Sequence, residues 1–204
     1  KNADLADLGT VMGNVYHTKE EMIDCVNAFY EGMVQRSEEM KQHPNYKTGE
    51  NYAYLGLPPC FLIFDEYVAF FEILGTKESV GLLSQLKKIV MLGRQAGYFL
   101  IVACQRPDAK YFSDGIRDNF NFRVGLGRIS ELGYGMLFGS DVKKQFFQKR
   151  IKGRGYCDVG TSVISEFYTP LVPKGHDFLQ TIGSLAQARQ DGTATCEAKG
   201  DGTD

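Results

Sequence analysis

Strong net charge, long apolar runs and clustered metal ligands are all missing from this 204-residue chain. The formal net charge is only −2, so no global basic field draws in nucleic acid, and any such surface must be local. No apolar run approaches the roughly 18 residues that a membrane-crossing helix requires. The chain opens on polar Lys1-Asn2-Ala3-Asp4 without an initiating Met and without a signal-peptide pattern, which reads as a fragment or processed piece. It has no Cys-x-x-Cys pair, and His17, His43 and His176 stand alone, so a metal site built from protein ligands only is not expected. The five cysteines (25, 60, 104, 157 and 196) are odd in number and far apart. They read as thiols in a reducing compartment.

What is present is enough for one good core. Hydrophobic residues make up 43% of the chain, and one main domain is the default at this length. Its centre is Cys60-Phe61-Leu62-Ile63-Phe64-Asp65-Glu66, an apolar run entered through Leu57-Pro58-Pro59 and closed by two carboxylates. Such a run reads as a strand buried on both faces of a sheet. Acids at its carboxyl end stand where open parallel α/β sheets bind ligands. One acid could serve a Mg²⁺ ion and the other a water in nucleotide hydrolysis. Alternatively, Asp65 and Glu66 only cap the next helix.

The flanking segments supply a frame. Residues 1–17 read as a connector, and Thr18 with Glu21 has the form of a capping box. Behind it, Met22, Cys25, Val26, Phe29 and Met33 recur at helical spacing, which predicts a helix to about Lys41. Tyr46, Tyr52 and Tyr54 fall in a loop, where tyrosines either stack on bases or cover the core. A short helix is expected over Tyr67–Leu74, a break at Gly75-Thr76-Lys77, and a longer helix from about Ser79 to Gln95 on a Leu82, Leu86, Ile89, Gly93 stripe. Phe99–Cys104 is a second apolar strand, so strand, crossover and strand form a parallel unit. Its end, Gln105-Arg106-Pro107-Asp108, should face the same crevice as Asp65 and Glu66.

Beyond it, a short helix is expected over Tyr111–Asn119, a third strand over Phe122–Leu126, and Gly-punctuated helix over 130–139. From Lys143 to Arg154 lie six basic residues and no acid, either a solvated face or a phosphate contact. Arg154–Val159 and Val163–Phe167 around Gly160-Thr161 read as a β-hairpin. From Gly183 onward the composition predicts a disordered tail.

Several segments together resemble the FtsK/SpoIIIE family of DNA-translocating ATPases. Phe61–Tyr67 resembles the family's Walker B strand, and Gly93-Arg94-Gln95-Ala96-Gly97 resembles the helix end before its sensor strand. Leu100–Pro107 resembles the strand that ends in Ala-Thr-Gln-Arg-Pro, and Asn121–Gly125 falls where the family has another Arg-bearing strand. Order and spacing agree over roughly residues 60–170; coupling ATPases of conjugative elements share this core. The resemblance implies that Asp65 holds Mg²⁺ through water and that Glu66 orients or deprotonates the attacking water, a contribution of about 10²–10⁴-fold. It implies that Gln105 senses the γ-phosphate of ATP. Arg94 would reach a neighbouring subunit's nucleotide as an arginine finger, worth roughly 10³–10⁵ in rate, unless it is an ordinary cation at a helix C-terminus. Arg123 is a second candidate, and Arg106 would position its own loop.

The departure is the phosphate loop. No Gly-x-x-x-x-Gly-Lys-Ser/Thr occurs in these 204 residues. In the family that loop lies upstream of the Walker B strand. The expectation is therefore a three-layer RecA-like P-loop NTPase core truncated at its N-terminus. It would have a mainly parallel sheet, a C-terminal β-hairpin, a partial motor over 1–182, a tail over 183–204 and an unusually exposed sheet edge or N-terminal face. The resemblance further implies double-stranded DNA as partner, with Lys149, Arg150 and Lys152 on its path, and a homo-hexamer. It places the parent protein in the cytoplasm, tethered to the membrane through segments not present here. A non-catalytic RecA-like docking module of a secretion or conjugation ATPase is the alternative.

Overall fold

The Cys60–Phe64 run is a strand, β1, and Tyr98–Val102 is its parallel partner, β2, paired in register from Cys60 opposite Tyr98 to Phe64 opposite Val102. This computed structural model describes residues 7–108, 110–112, 114–139, 146, 151–161 and 163–190. One face of the pair is packed: Leu62 and Phe64 are buried, with Leu100 and Val102 beside them. The other face is open. Phe61 is 54% exposed, Ile63 67% and Ile101 47%, with Phe61 and Phe99 stacked at 5.5 Å. The strand was expected to be buried on both faces and is buried on one only, because among the described residues the helices pack on the side of Leu62 and Phe64. The exposure expected at an edge or N-terminal face falls on a sheet face bearing apolar side chains.

Two helices cover the packed face. Helix α1 spans Lys19–Gln42 and starts at the expected box, with Glu21 N–H donating to Thr18 Oγ1 at 3.3 Å and Thr18 N–H donating to Glu21 Oε2 at 3.2 Å. It buries Val26, Met33 and Met40. After the short α2 (Tyr67–Glu72), helix α3 runs over Thr76–Ala96 and buries Leu82, Leu86, Ile89, Gly93 and Ala96. It begins three residues before the expected Ser79, because Glu78 reaches back to accept from Gly75 N–H at 2.8 Å. Gly75 thus marks the expected break between the two helices and also caps the second. The helix stops at Gly97, whose φ of 78° is the left-handed conformation that glycine adopts freely.

The rest of this unit is an antiparallel sheet. After α4 (Asp114–Arg117), strand β3 (Arg123–Leu126) pairs with β4 (Arg154–Asp158), and β4 pairs with β5 (Ile164–Tyr168). The hairpin is as expected, and β3 joins it. Helix α5 (Glu131–Phe138) supplies Tyr134 and Phe138, which with Tyr156 and Ile164 form a second, largely aromatic core. The fold is α/β throughout.

The chain divides into two compact units, Thr18–Leu171 and a second made of 1–17 with 172–204. In the second, a 3-10 turn at Asp7–Thr10 accompanies helix α6 (Phe178–Gln190). The chain is therefore helical past Gly183, where composition alone predicts disorder. Asp177 starts the helix, its Oδ1 accepting from Gln180 N–H at 2.9 Å, and Leu, Ala and Gln then favour continuation. Val11 lies 3.3 Å from where a Cβ on Gly183 would stand. Residues 191–204 lie outside the described residues. Among the described residues no helix is long and apolar enough to cross a membrane.

Candidate functional site

The parallel pairing carries two loop ends to one edge of the sheet. β1 ends at Phe64, whose carbonyl accepts from Ala103 N–H at 2.8 Å, and Ala103 C=O accepts from Tyr67 N–H at 2.9 Å. These bonds extend the ladder past both strands. They set Asp65 and Glu66 beside Cys104 and Gln105, the convergence that a parallel pair requires.

Glu66 decides between cap and site. It occupies the N-cap position of α2, yet its side chain makes no capping bond. It turns instead across the sheet edge, where Oε1 accepts from Gln105 N–H at 3.4 Å. That leaves Oε2 without a bond to the described residues. Asp65 is exposed and makes no hydrogen bond or ion pair with them either. Among the described residues, neither acid's side chain caps α2. Cys104 reports the same proximity: burial first, and then the Glu66 carboxylate, push its thiol up to about 11.

Among the described residues no three His, Cys, Asp or Glu side chains gather to hold a metal ion. An exposed carboxylate with an open oxygen beside it suits Mg²⁺, which keeps waters and takes one or two carboxylates together with substrate phosphates. The donor set fits that ion and not one needing a protein cage.

Arg94 is elsewhere. It lies in the last turn of α3, four residues before Tyr98, and is exposed. A five-residue strand at ~3.3 Å per residue separates that amino edge from the acid pair, about 16 Å. Within one chain the fold does not bring Arg94 to Asp65 and Glu66. Arg123 is committed: it donates to Asp158 Oδ2 at 2.6 Å, with Asp158 only 3% exposed, and to Leu137 O at 3.3 Å. Arg106 is exposed beside Gln105.

Of the basic run, Lys152 is exposed and lines an open cleft with Leu126, Ile151 and Thr169, while Arg154 is buried against Glu166 and Tyr156. Lys149 and Arg150 lie outside the described residues. Tyr52 packs on Phe99 and against Gly97, so it covers the core; Tyr46 and Tyr54 are exposed.

Two residues that sequence reasoning passed over matter to this geometry. Tyr67, 1% exposed, follows Glu66 directly. Arg36, on α1, donates to Pro58 O at 2.7 Å and to Ala96 O at 3.4 Å, and stacks on the Tyr98 ring at 4.8 Å. Arg36 lies on the packed side of α1, between Met33 and Met40, but that position does not say which main-chain carbonyls it clamps.

No protein-family model matches the chain. Among curated proteins it is 54% identical, over 205 aligned residues and its whole length, to the FtsK domain-containing protein YdcQ of Bacillus subtilis (strain 168); the chain spans 42% of that relative. Among solved structures it resembles the cytoplasmic domain of the type VII secretion ATPase EccC of Thermomonospora curvata, at TM-score 0.58 and 18% identity over 84% of this chain and 21% of that one. It also resembles the pCW3 conjugation coupling protein TcpA, determined with ATPγS, at TM-score 0.58 and 18% identity over 80% of this chain and 49% of that one. At such identities these two show the fold, and it is the P-loop ATPase fold that the resemblance implied. Along this chain's whole length, more than half of its positions are identical to those of a protein named for its FtsK domain, and that is the family its motifs resemble.

Proposed function

We propose that this chain is the acid-bearing part of an ATP-driven motor that moves double-stranded DNA, working at subunit interfaces of a hexamer. The observation that carries this reading is the turn of Glu66 away from its own helix and onto Gln105 N–H. Held by one oxygen, Glu66 keeps the other to take a proton from an attacking water. Asp65 would hold Mg²⁺ through water. Such an ion would supply positive charge against the phosphates of ATP. Gln105 would read the γ-phosphate with its side chain while its main chain steadies Glu66. Arg94, exposed at the opposite edge, is suited to a neighbour's nucleotide and not to its own. Chromosome segregation or conjugative transfer is the setting this implies, in the cytoplasm, with tethering to the membrane supplied by polypeptide beyond these 204 residues.

The phosphate-loop sequence does not occur in these residues, and its backbone amides and lysine are the main source of phosphate affinity in such enzymes. The purified 204-residue protein is therefore expected to show no ATP turnover above background. Turnover abolished by Glu66→Gln in this chain alone would contradict that.

The likeness to a type VII secretion ATPase supports a second reading, a docking module that binds a partner protein and not DNA. Duplex binding separates the two. On the motor reading, neutralising Lys149, Arg150 and Lys152 lowers the slope of log affinity against log salt by about 3. On the docking reading, duplex affinity is negligible before and after.

A further inference from the structure

The loop that carries Gln105 is gripped at both ends by one residue. Tyr67 donates its N–H to Ala103 O at 2.9 Å where the loop leaves β2, and its hydroxyl to Tyr111 O at 3.4 Å where the loop ends. Between these points lie Gln105, Arg106 and Pro107. The Tyr67 ring is wedged against Phe112 at 4.7 Å, Phe71 at 4.9 Å and Phe64 at 5.7 Å, and Tyr111 stacks on Phe71 at 5.4 Å. The ring thus ties the end of β1 to the loop's far end through an aromatic cluster. A phenylalanine would satisfy that cluster equally well. The buried hydroxyl is the group that packing does not explain, and burial, ahead of a weaker contribution from the Cys104 thiol, holds its proton on well above the usual tyrosine range.

We propose that Tyr67 is a positioning residue: its hydroxyl sets the span from Ala103 to Tyr111 so that Gln105 N–H faces Glu66 Oε1. Tyr67 touches no reacting group and acts through Gln105 and Glu66. Its neighbour in sequence is the acid and its hydrogen-bond partners bracket the loop. One rigid side chain therefore fixes the distance between two groups from different strands. Its use in hydrolysis rests on the ATPase reading above; the placement itself can be measured without nucleotide.

The experiment compares main-chain amide exchange and amide proton shifts, residue by residue, in the ¹⁵N-labelled 204-residue protein and its Tyr67→Phe and Glu66→Ala variants. Tyr67→Phe keeps the ring and deletes only the hydroxyl. The expected result is Gln105 amide exchange faster by about tenfold, the scale of one lost buried hydrogen bond. Its proton shift should move in the direction produced by Glu66→Ala, while the amides of Ala103, Leu86 and Ile89 stay protected. An unchanged Gln105 amide in Tyr67→Phe would overturn the proposal. So would equal acceleration at Ala103, Leu86 and Ile89, since that pattern marks general loosening. Lack of ATP turnover in any longer protein would sink the motor reading and leave this result standing.

Discussion

The two edges of the β1–β2 pair are built from opposite materials. At the amino edge the main chains and Arg36 are tied, and Arg94 stands exposed. Arg36 joins α1 to the carbonyls of Pro58 and Ala96 and to the Tyr98 ring, Cys60 N–H donates to Gly97 O at 2.7 Å, and Tyr52 N–H donates to Gln95 O at 3.0 Å. Gly93 lets α3 lie so close to β2 that an added Cβ would stand 2.2 Å from Tyr98 O. At the carboxyl edge the main chains are zipped together, but the polar side chains are left with spare bonding capacity. Asp65 has no bond to the described residues and Glu66 is held by one long bond. Arg36 is bonded at one end of the sheet and the acids are left with spare bonding capacity at the other, the arrangement that the proposed site calls for.

Substitutions can break this contrast. The largest effect belongs to Gly93→Ala, whose methyl meets main chain that cannot swing aside. It should cost about 3 kcal/mol, read as a lowered denaturant midpoint with little change in slope. Arg36→Ala should come next, at about 2 kcal/mol, because it strips a donor from two carbonyls and a packing partner from Tyr98. Arg36→Lys should recover only part of that loss, since an ammonium cannot span both carbonyls while stacking on the ring. An equal cost for Asp65→Ala at the other edge would erase the distinction.

The smallest effect is a rate. With its thiol pushed up to about 11 from a reference of 9.0, Cys104 carries little thiolate at pH 8 and should alkylate slowly. Glu66→Gln removes the carboxylate's share of that shift while burial remains, so alkylation should quicken modestly. The sign for stability follows from the same shift. A pKa raised on folding contributes fully below pH 9 and is lost as pH climbs toward about 11, so this group weakens the fold in alkali.

Much of the carboxyl edge was legible beforehand, because parallel pairing follows from two apolar runs joined by a helical crossover, and pairing dictates which loop ends meet. Asp65, Glu66 and Gln105 converge for that reason alone. The clamp by Arg36 and the bracket by Tyr67 were not legible, since each joins main-chain groups whose identity leaves no trace in side-chain pattern. Arg123 shows the converse. Its strand placed it among candidates, and only the antiparallel register that sets Asp158 opposite it reveals an ion pair within the sheet. The helix from Phe178 to Gln190 was hidden because glycine and small residues read as disorder until a capping Asp177 and a packed Val11 are seen.

The most direct test of the central claim places Glu66→Gln in a protein of the length of YdcQ that turns over ATP and measures turnover and thermal stability on the same preparation. If the carboxyl edge is a site and not scaffold, turnover falls by about 10²-fold or more while Tm stays within about 2 °C. Retained turnover, or a Tm that collapses along with it, would show that Glu66 serves the fold.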